Sequence, residues 1–298
     1  MNAHARLAED DLGLPVPLPA RVRRVVSLVP SLTESIAATA PGLLVGATDW
    51  CSHPEDLDVA RVRGTKNPDV AAVIALAPDL VVANEEENRV PDLDALRAAG
   101  VPVWVTDVRT LDDALSSLRR MLTGALGLPE PPWLTAAERA WQEAGDVART
   151  PQEGWDATRG DVTRAQQEAG EATRARRAAG DVARTRRAVI PVWRKPWMVA
   201  GRDTFLGDVL LRLGVENIYA GHPERYPKIP LPELLATAPD LVVLPDEPYR
   251  FTADDGPGFF PGVPAALVSG RHLTWYGPSL AEAPGVLAEA LRLAAPVP

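Results

Sequence analysis

The chain contains a single cysteine, Cys51, among 298 residues. No internal disulfide can form, so a disulfide-built scaffold is excluded, and the usage leans toward a reducing compartment. Nowhere do roughly 18 apolar residues run together, the length a membrane-spanning helix requires. Met1 to Ala20 holds no apolar run of seven or more, so no secretory leader is read there, and the chain as written is expected in the cytoplasm. Basic residues are the minority: Lys+Arg 31 against Asp+Glu 40 gives a net charge of −9. That balance argues against a nucleic-acid binder, which needs a basic face, and more weakly against an anionic membrane surface. The nucleophile elbow, the zinc-protease helix motif, the phosphate-cradling P-loop and the dinucleotide fingerprint are all missing. With them goes the motif-level case for an enzyme.

What is present begins with a repeat. Ala77-Pro78-Asp79-Leu80-Val81-Val82 recurs as Ala238-Pro239-Asp240-Leu241-Val242-Val243. Arg23-Arg24-Val25-Val26 is echoed by Arg186-Arg187-Ala188-Val189, and Val101-Pro102 by Val263-Pro264, in the same order and at an offset constant to within two residues. Three ordered matches imply two lobes of similar build. A hydrophobic fraction of 46% supplies packed cores for both.

Short β-branched runs alternate with helical patterns. Val25–Val29, Leu43–Ala47, Leu80–Ala83 and Val101–Thr106 read as strands; the segments from Ser31, Val70, Asp92 and Leu111 read as helices. Ser31 with Glu34 three residues on has the spacing of a capping box. After the connector, Ile190–Val192, Leu241–Leu244 and Ala266–Ser269 read as strands, and Thr204–Leu213, Leu231–Ala236 and Pro284–Leu293 as helices. The pattern predicts an α/β fold with parallel sheets.

The expected organisation is a lead over 1–20, flexible or a small edge hairpin, an N-terminal lobe over 21–128, a connecting helix over 129–150 and a C-terminal lobe over 188–298. Between them 146–187 is low-complexity: AGDVART occurs twice, around a ten-residue Arg/Ala-rich repeat. It carries too little apolar surface for a core of its own and is expected to be poorly ordered or partly helical.

Ligands of parallel sheets gather at the carboxyl ends of the strands. Of the eight tryptophans, Trp50, Trp193, Trp197 and Trp275 fall in the loops after strands. Either they line one cleft for a large flat ligand, or each plugs its own lobe's rim. Cys51 and His53, two apart in one loop beside Asp49, are a candidate metal pair; a buried thiol and a loop-capping histidine is the alternative. The acidic loops Glu85-Glu86-Glu87 and Asp246-Glu247 either cap helices, bind a cation or meet basic groups of a partner.

RVVSLVPSLTE (24–34), TDWCSHP (48–54), GTKNPDV (64–70), APDLVVANEEENR (77–89), PVWRKPWM (191–198), GDVLLRLGVENIY (207–219) and SGRHLTWYGPSL (269–280) together resemble the helical-backbone metal receptors. These are the cobalamin- and iron-siderophore-binding proteins of ABC importers, of the class III periplasmic-binding-protein-like type. The resemblance implies two Rossmann-like lobes joined by a single long backbone helix, with little movement on binding and a ligand cleft between the lobes. It also implies a non-enzymatic monomer, an ABC permease as partner and an extracytoplasmic location.

By resemblance Pro30, Ser31, Trp50, Trp197 and Trp275 match cleft positions. With Asn84, Glu85, Trp193, Tyr249 and Tyr276 they form the expected ligand-binding set, for a corrinoid or another metal chelate. Glu86, Glu87, Asp246 and Glu247 are the expected docking carboxylates. A cytoplasmic metallochaperone or cofactor-assembly enzyme, using Cys51 and His53, is the alternative function.

Overall fold

A computed structural model describes residues 6–149 and 185–296; most of the low-complexity stretch therefore lies outside the described residues. The chain opens with an antiparallel hairpin, β1 (Arg6–Glu9) and β2 (Pro15–Leu18). It is tied down rather than loose: the Arg120 guanidinium reaches Asp11 at 2.6 Å, and the Asp11 N–H donates to the Val105 carbonyl at 3.1 Å.

The first sheet is built from β3 (Val25–Ser27), β4 (Leu44–Ala47), β5 (Ala60–Arg61), β8 (Leu80–Asn84) and β9 (Val103–Thr106), in the order β5-β4-β3-β8-β9 and all parallel. A small hairpin, β6 (Arg63–Gly64) and β7 (Asn67–Pro68), sits beside it. Its helices are α1 (Pro30–Thr39), α2 (Val70–Ala75), α3 (Val90–Ala98) and α4 (Leu111–Arg119). The helix read from Leu111 leaves α-geometry at Arg120 for a π-turn over Arg120–Ala125.

A long helix follows, α5 (Pro132–Arg149). The second sheet takes β10 (Arg186–Val189), β13 (Val215–Asn217), β14 (Leu241–Pro245), β15 (Pro264–Val268) and β16 (Ala295–Pro296), in the order β13-β10-β14-β15-β16. Only β16 is antiparallel. Here the first central strand is Arg186–Val189, earlier than the expected Ile190–Val192. Those later residues instead enter a hairpin of β11 (Pro191–Trp193) and β12 (Met198–Val199). Helices α6 (Phe205–Arg212), α7 (Leu231–Ala236), α8 (Gly270–Thr274) and α9 (Ala283–Arg292) complete the chain.

The repeat has a physical cause. Ala77 and Ala238 take φ of 45° and 46°, the left-handed stop that ends the preceding helix. The following aspartate then clamps the start of the neighbouring strand. The Asp79 carboxylate accepts from the Arg23 and Arg24 N–H groups at 2.7 and 3.0 Å, and Asp240 accepts from the Arg187 N–H at 2.9 Å. The apolar tail then becomes the central strand, whose side chains alternate between faces. Leu80, Val82, Leu241 and Val243 enter one core, shared with α5 and both sheets; Val81 and Ala83 enter a second core, Val242 and Leu244 a third. The shared core includes Leu32, Ile36 and Leu118 from the first half, Trp141 from α5, and Phe205, Tyr276 and Leu280 from the second. The two halves are thus fused by continuous apolar packing behind the facing strand ends.

One local expectation fails. Val29 is the N-cap of α1, Pro30 occupies its first turn, and no side chain caps it. Pro30 suits that position because its missing N–H would be unpaired there anyway. Ser31 and Glu34 therefore lie inside the helix, both buried.

Candidate functional site: the seam between the strand ends

The loop after β4 is rigidly braced. The Arg61 guanidinium donates to the Thr48 and Cys51 carbonyls at 3.0 and 2.9 Å. The Cys51 thiol is buried, accepting from the Thr33 hydroxyl at 2.9 Å with the Thr48 hydroxyl at 3.1 Å. Burial pushes the thiol up from its ordinary value, against those hydrogen bonds. A buried, hydrogen-bonded, neutral thiol is a poor metal ligand. No cluster of three or more His, Cys, Asp or Glu able to hold a metal occurs among the described residues.

His53 has a different environment. Its Nδ1 meets the Ser52 hydroxyl at 3.2 Å, and its ring stands edge-on to Trp275 of the second half, centroids 5.4 Å apart. The structure thus splits the Cys51/His53 pair: one joins the interior, the other the seam. Trp50, which immediately precedes them, is pushed outward and is 69% exposed. A Cβ on Gly64 would lie 3.3 Å from its indole nitrogen, so the ring rests against a residue with no side chain.

The loop after β8 is organised by Asn84, which is buried. Its amide donates to the Thr106 carbonyl and hydroxyl at 2.9 and 3.2 Å, and its oxygen accepts from the Glu86 and Glu87 N–H groups at 2.9 and 3.1 Å. All four hydrogen-bonding positions of the side chain are occupied. Asn84 shapes the loop that presents Glu85, Glu86 and Glu87 and has nothing left to offer a ligand.

On the opposite side, Trp193 and Trp197 diverge although they share one hairpin. Trp197 is half-buried, stacked on Phe251 at 6.1 Å and 11°, with Phe259 and Phe260 edge-on. Trp193 is 42% exposed and stands edge-on to Tyr249 at 5.5 Å. The Tyr249 hydroxyl donates to Asp255 at 2.6 Å and accepts from the Arg194 guanidinium at 3.2 Å. Exposed Trp50 and Trp193 are thus the two large apolar faces left open on these loops, whereas Trp197 is largely absorbed by its own core.

Several contacts cross the seam. Arg225, after β13, reaches Glu85 at 3.3 Å and Glu86 at 3.0 Å. Arg271 of α8 pairs with Glu34 of α1. The Tyr276 hydroxyl lies 3.4 Å from the Thr106 hydroxyl, and burial pushes its pKa above the ordinary tyrosine value. Gly277 packs so closely on α1 that an added Cβ would fall 2.9 Å from the Ser35 hydroxyl and 3.2 Å from the Ser31 carbonyl. Ser31 therefore lies buried against the Tyr276–Gly277 turn, with Pro30 beside it.

Three of the four expected docking carboxylates, Glu86, Asp246 and Glu247, have partners within the chain. Glu86 meets Arg225, and the Lys66 ammonium donates to the Glu86 carbonyl. Asp246 accepts from the Gly270 N–H at 2.5 Å, and Glu247 from the Trp275 indole at 2.9 Å. Glu87 is half-buried beside Lys66. Sequence reasoning did not single out Glu34, Lys66 or Arg225 for the seam. Their partners lie far along the chain, with no periodic or spacing signal to reveal them.

Burial pushes the Glu87 and Glu247 carboxyls above the usual range, opposed at Glu247 by the Trp275 indole N–H and at Glu87 by Lys66. A carboxyl with a raised folded-state pKa binds its proton more tightly when folded. It disfavours folding above that value, and the penalty is relieved as pH falls through it. The double substitution Glu87→Gln with Glu247→Gln is expected to raise Tm by about 2 °C at alkaline pH. The gain over the unsubstituted chain should vanish in acid, read by thermal melts across a pH series; a lower Tm at alkaline pH would contradict this.

No family model matches the chain. Among curated relatives, a vitamin B12-binding protein of Pectobacterium carotovorum is 25% identical over 237 residues, covering 78% of this chain and 74% of that protein. The vitamin B12-binding protein of Yersinia pseudotuberculosis is 24% identical over 230 residues, covering 76% and 71%. Among solved structures, the periplasmic vitamin B12 binding protein of Vibrio cholerae aligns at a TM-score of 0.66 and 16% identity, over 91% of this chain and 97% of that one. A periplasmic heme binding protein from Pseudomonas aeruginosa aligns at 0.66 and 24%, over 93% and 95%. The molybdate periplasmic binding protein of a Haemophilus influenzae ABC transporter aligns at 0.69 and 16%, over 96% and 91%. At such identities the structural matches speak to the fold, two α/β halves around a long helix.

Proposed function

We propose that this chain, a member of the class III periplasmic-binding-protein-like, ABC-type substrate-binding proteins, binds a metal-bearing chelate in the seam between its two parallel sheets. The corrinoid of its vitamin B12-binding relatives is the leading candidate. The observation that carries the reading is the juxtaposition of the two sheets' carboxyl-end loops, with exposed Trp50 and Trp193 on them. Flat apolar faces of this kind suit a macrocycle, and the polar groups of Ser31 and Tyr276 supply orientation. Pro30, Glu85, Tyr249 and Trp275 complete the proposed contact set.

The role is binding rather than catalysis, and the proposed recipient is an ABC permease in the cytoplasmic membrane, met from its outer side. Because the shared core is continuous behind the seam, closure on the ligand is small.

Absorbance titration and calorimetry test this, with aquacobalamin, hemin and a ferric siderophore as probes. Micromolar or tighter binding of one is expected, and Trp50→Ala should weaken it about tenfold or more. Absence of binding by all three would overturn the reading.

A further inference from the structure

The charges at the seam are unevenly committed. Each arginine that crosses it is already held by carboxylates: Arg225 by Glu85 and Glu86, Arg271 by Glu34 and Glu282. On the flanking loops Arg194 is held by Asp255 and Arg109 by Asp107. The Lys66 ammonium sits on the Glu86 carbonyl. Lys195 and Arg250 have no carboxylate within 4 Å among the described residues, but both are solvent-exposed, where water and salt screen them.

The carboxylates are less fully matched. Glu87 and Glu247 have no Lys, Arg or His nitrogen within 4 Å among the described residues. Glu34, 7% exposed, gives one oxygen to Arg271 while its Oε2 is buried with no hydrogen-bond partner. Arg225 Nε and Nη2 are likewise buried without a hydrogen-bond partner, so the imbalance lies in charge: Glu87 and Glu247 are half-buried carboxyls with no opposite charge within 4 Å among the described residues.

We propose that the seam is charge-selective: it admits a neutral or cationic metal chelate whose rim donates hydrogen bonds, and rejects chelates whose rim carries carboxylates. The inference rests on the reading of the seam as the ligand site. Amide N–H groups on the rim of a macrocycle would meet Glu87 and Glu247 as donors to acceptors. Carboxylates at the same places would meet like charge in a partly desolvated setting. To find a cation they would have to take Arg225 or Arg271 away from its present partners. Like-charge juxtaposition of this kind costs several kcal/mol, which is discrimination of the order of a hundredfold or more.

The test uses one ring with two rims. Dicyanocobinamide carries amides and cobyrinic acid carries carboxylates around the same corrin. Calorimetric titration of the full chain at about pH 8, with hemin as a second carboxylate-bearing macrocycle, is expected to show dicyanocobinamide bound about a hundredfold more tightly than cobyrinic acid. In Glu87→Gln with Glu247→Gln, folded as judged by its thermal melt, the ratio should narrow about tenfold or more. High salt should narrow it in the unsubstituted chain.

Equal affinity for the two corrins overturns the proposal, as does hemin binding tightly while dicyanocobinamide does not; either result leaves the seam standing as a ligand site. A preference unchanged in the double variant shows that these carboxylates do not cause it and overturns the assignment. Failure of every macrocycle to bind overturns the underlying reading and this inference together.

Discussion

Trp141→Ala is expected to lower Tm by about 10 °C, from a loss of roughly 3–5 kcal/mol. Trp141 sits on α5 within the shared core, buried, and its indole N–H donates to the Leu280 carbonyl of the second half at 3.0 Å. Truncation removes a large apolar side chain from the place where three segments distant in sequence meet, and strands a buried carbonyl. Trp141→Phe keeps most of the apolar contact and loses only the hydrogen bond. It should cost about 1–3 kcal/mol, the penalty of leaving that carbonyl unpaired. Thermal and urea melts followed by circular dichroism give both numbers. An alanine variant within about 1 kcal/mol of the parent chain would show that the helix does not couple the halves.

Gly270→Ala should have the largest effect on binding for the smallest chemical change. A Cβ at Gly270 would lie 2.6 Å from the Glu247 Cβ, 2.7 Å from the Glu247 backbone nitrogen and 3.0 Å from Asp246 Oδ1. Backbone cannot step aside as the end of a flexible side chain does, so the first turn of α8 must lift off the β14 loop. Arg271 and Trp275 travel with it, which strains the Arg271–Glu34 pair and the 2.9 Å indole bond to Glu247.

The expected outcome is a destabilisation of about 1–3 kcal/mol and a loss of ligand affinity of about tenfold or more. Gly285→Ala, inside α9 with nothing within 4 Å of the added carbon, is the matched control. It should be neutral or slightly stabilising, by about 0.5–1 kcal/mol, because alanine favours helix over glycine. Unchanged affinity in Gly270→Ala would remove the α8–β14 junction from the account of the seam.

The two halves and their central strands could be read directly from the chain because the causes are local. A left-handed alanine, a proline and an aspartate that clamps the adjacent strand are needed wherever a helix turns into a buried strand of this kind, so the same six residues recur. Alternation within Leu-Val-Val then decides which core each side chain enters. The family resemblance added the long helix and the seam, both of which agree with the architecture found.

The misreading of Ser31 is equally local. A serine with a glutamate three residues on has the right spacing for a cap, but Val29 is the N-cap and Pro30 opens the helix, so the pair falls two positions too deep. The spacing rule carries no information about where the chain enters the first turn.

The environment of each functional side chain was set elsewhere. Trp193 and Trp197 are four residues apart with the same chemistry. Phe251, Phe259 and Phe260, more than fifty residues downstream, decide that one is largely absorbed and the other left open. Asn84 looks like a ligand donor in the sequence; Thr106 and the turn it caps use up its amide. Glu85 and Glu86 look like an outward acidic tip until Arg225, 140 positions from Glu85, answers them. Glu34 and Arg271, 237 positions apart, have nothing local to pair them.

By itself, then, the sequence determined the repeated central strands and the existence of two halves, because propensity, turn chemistry and alternation act over a few residues. Only the tertiary structure decided which charges are paired, which indoles stay open and which carboxylates are left over at the seam. Those depend on packing and Coulomb contacts between segments that meet only once the two halves have closed on one core.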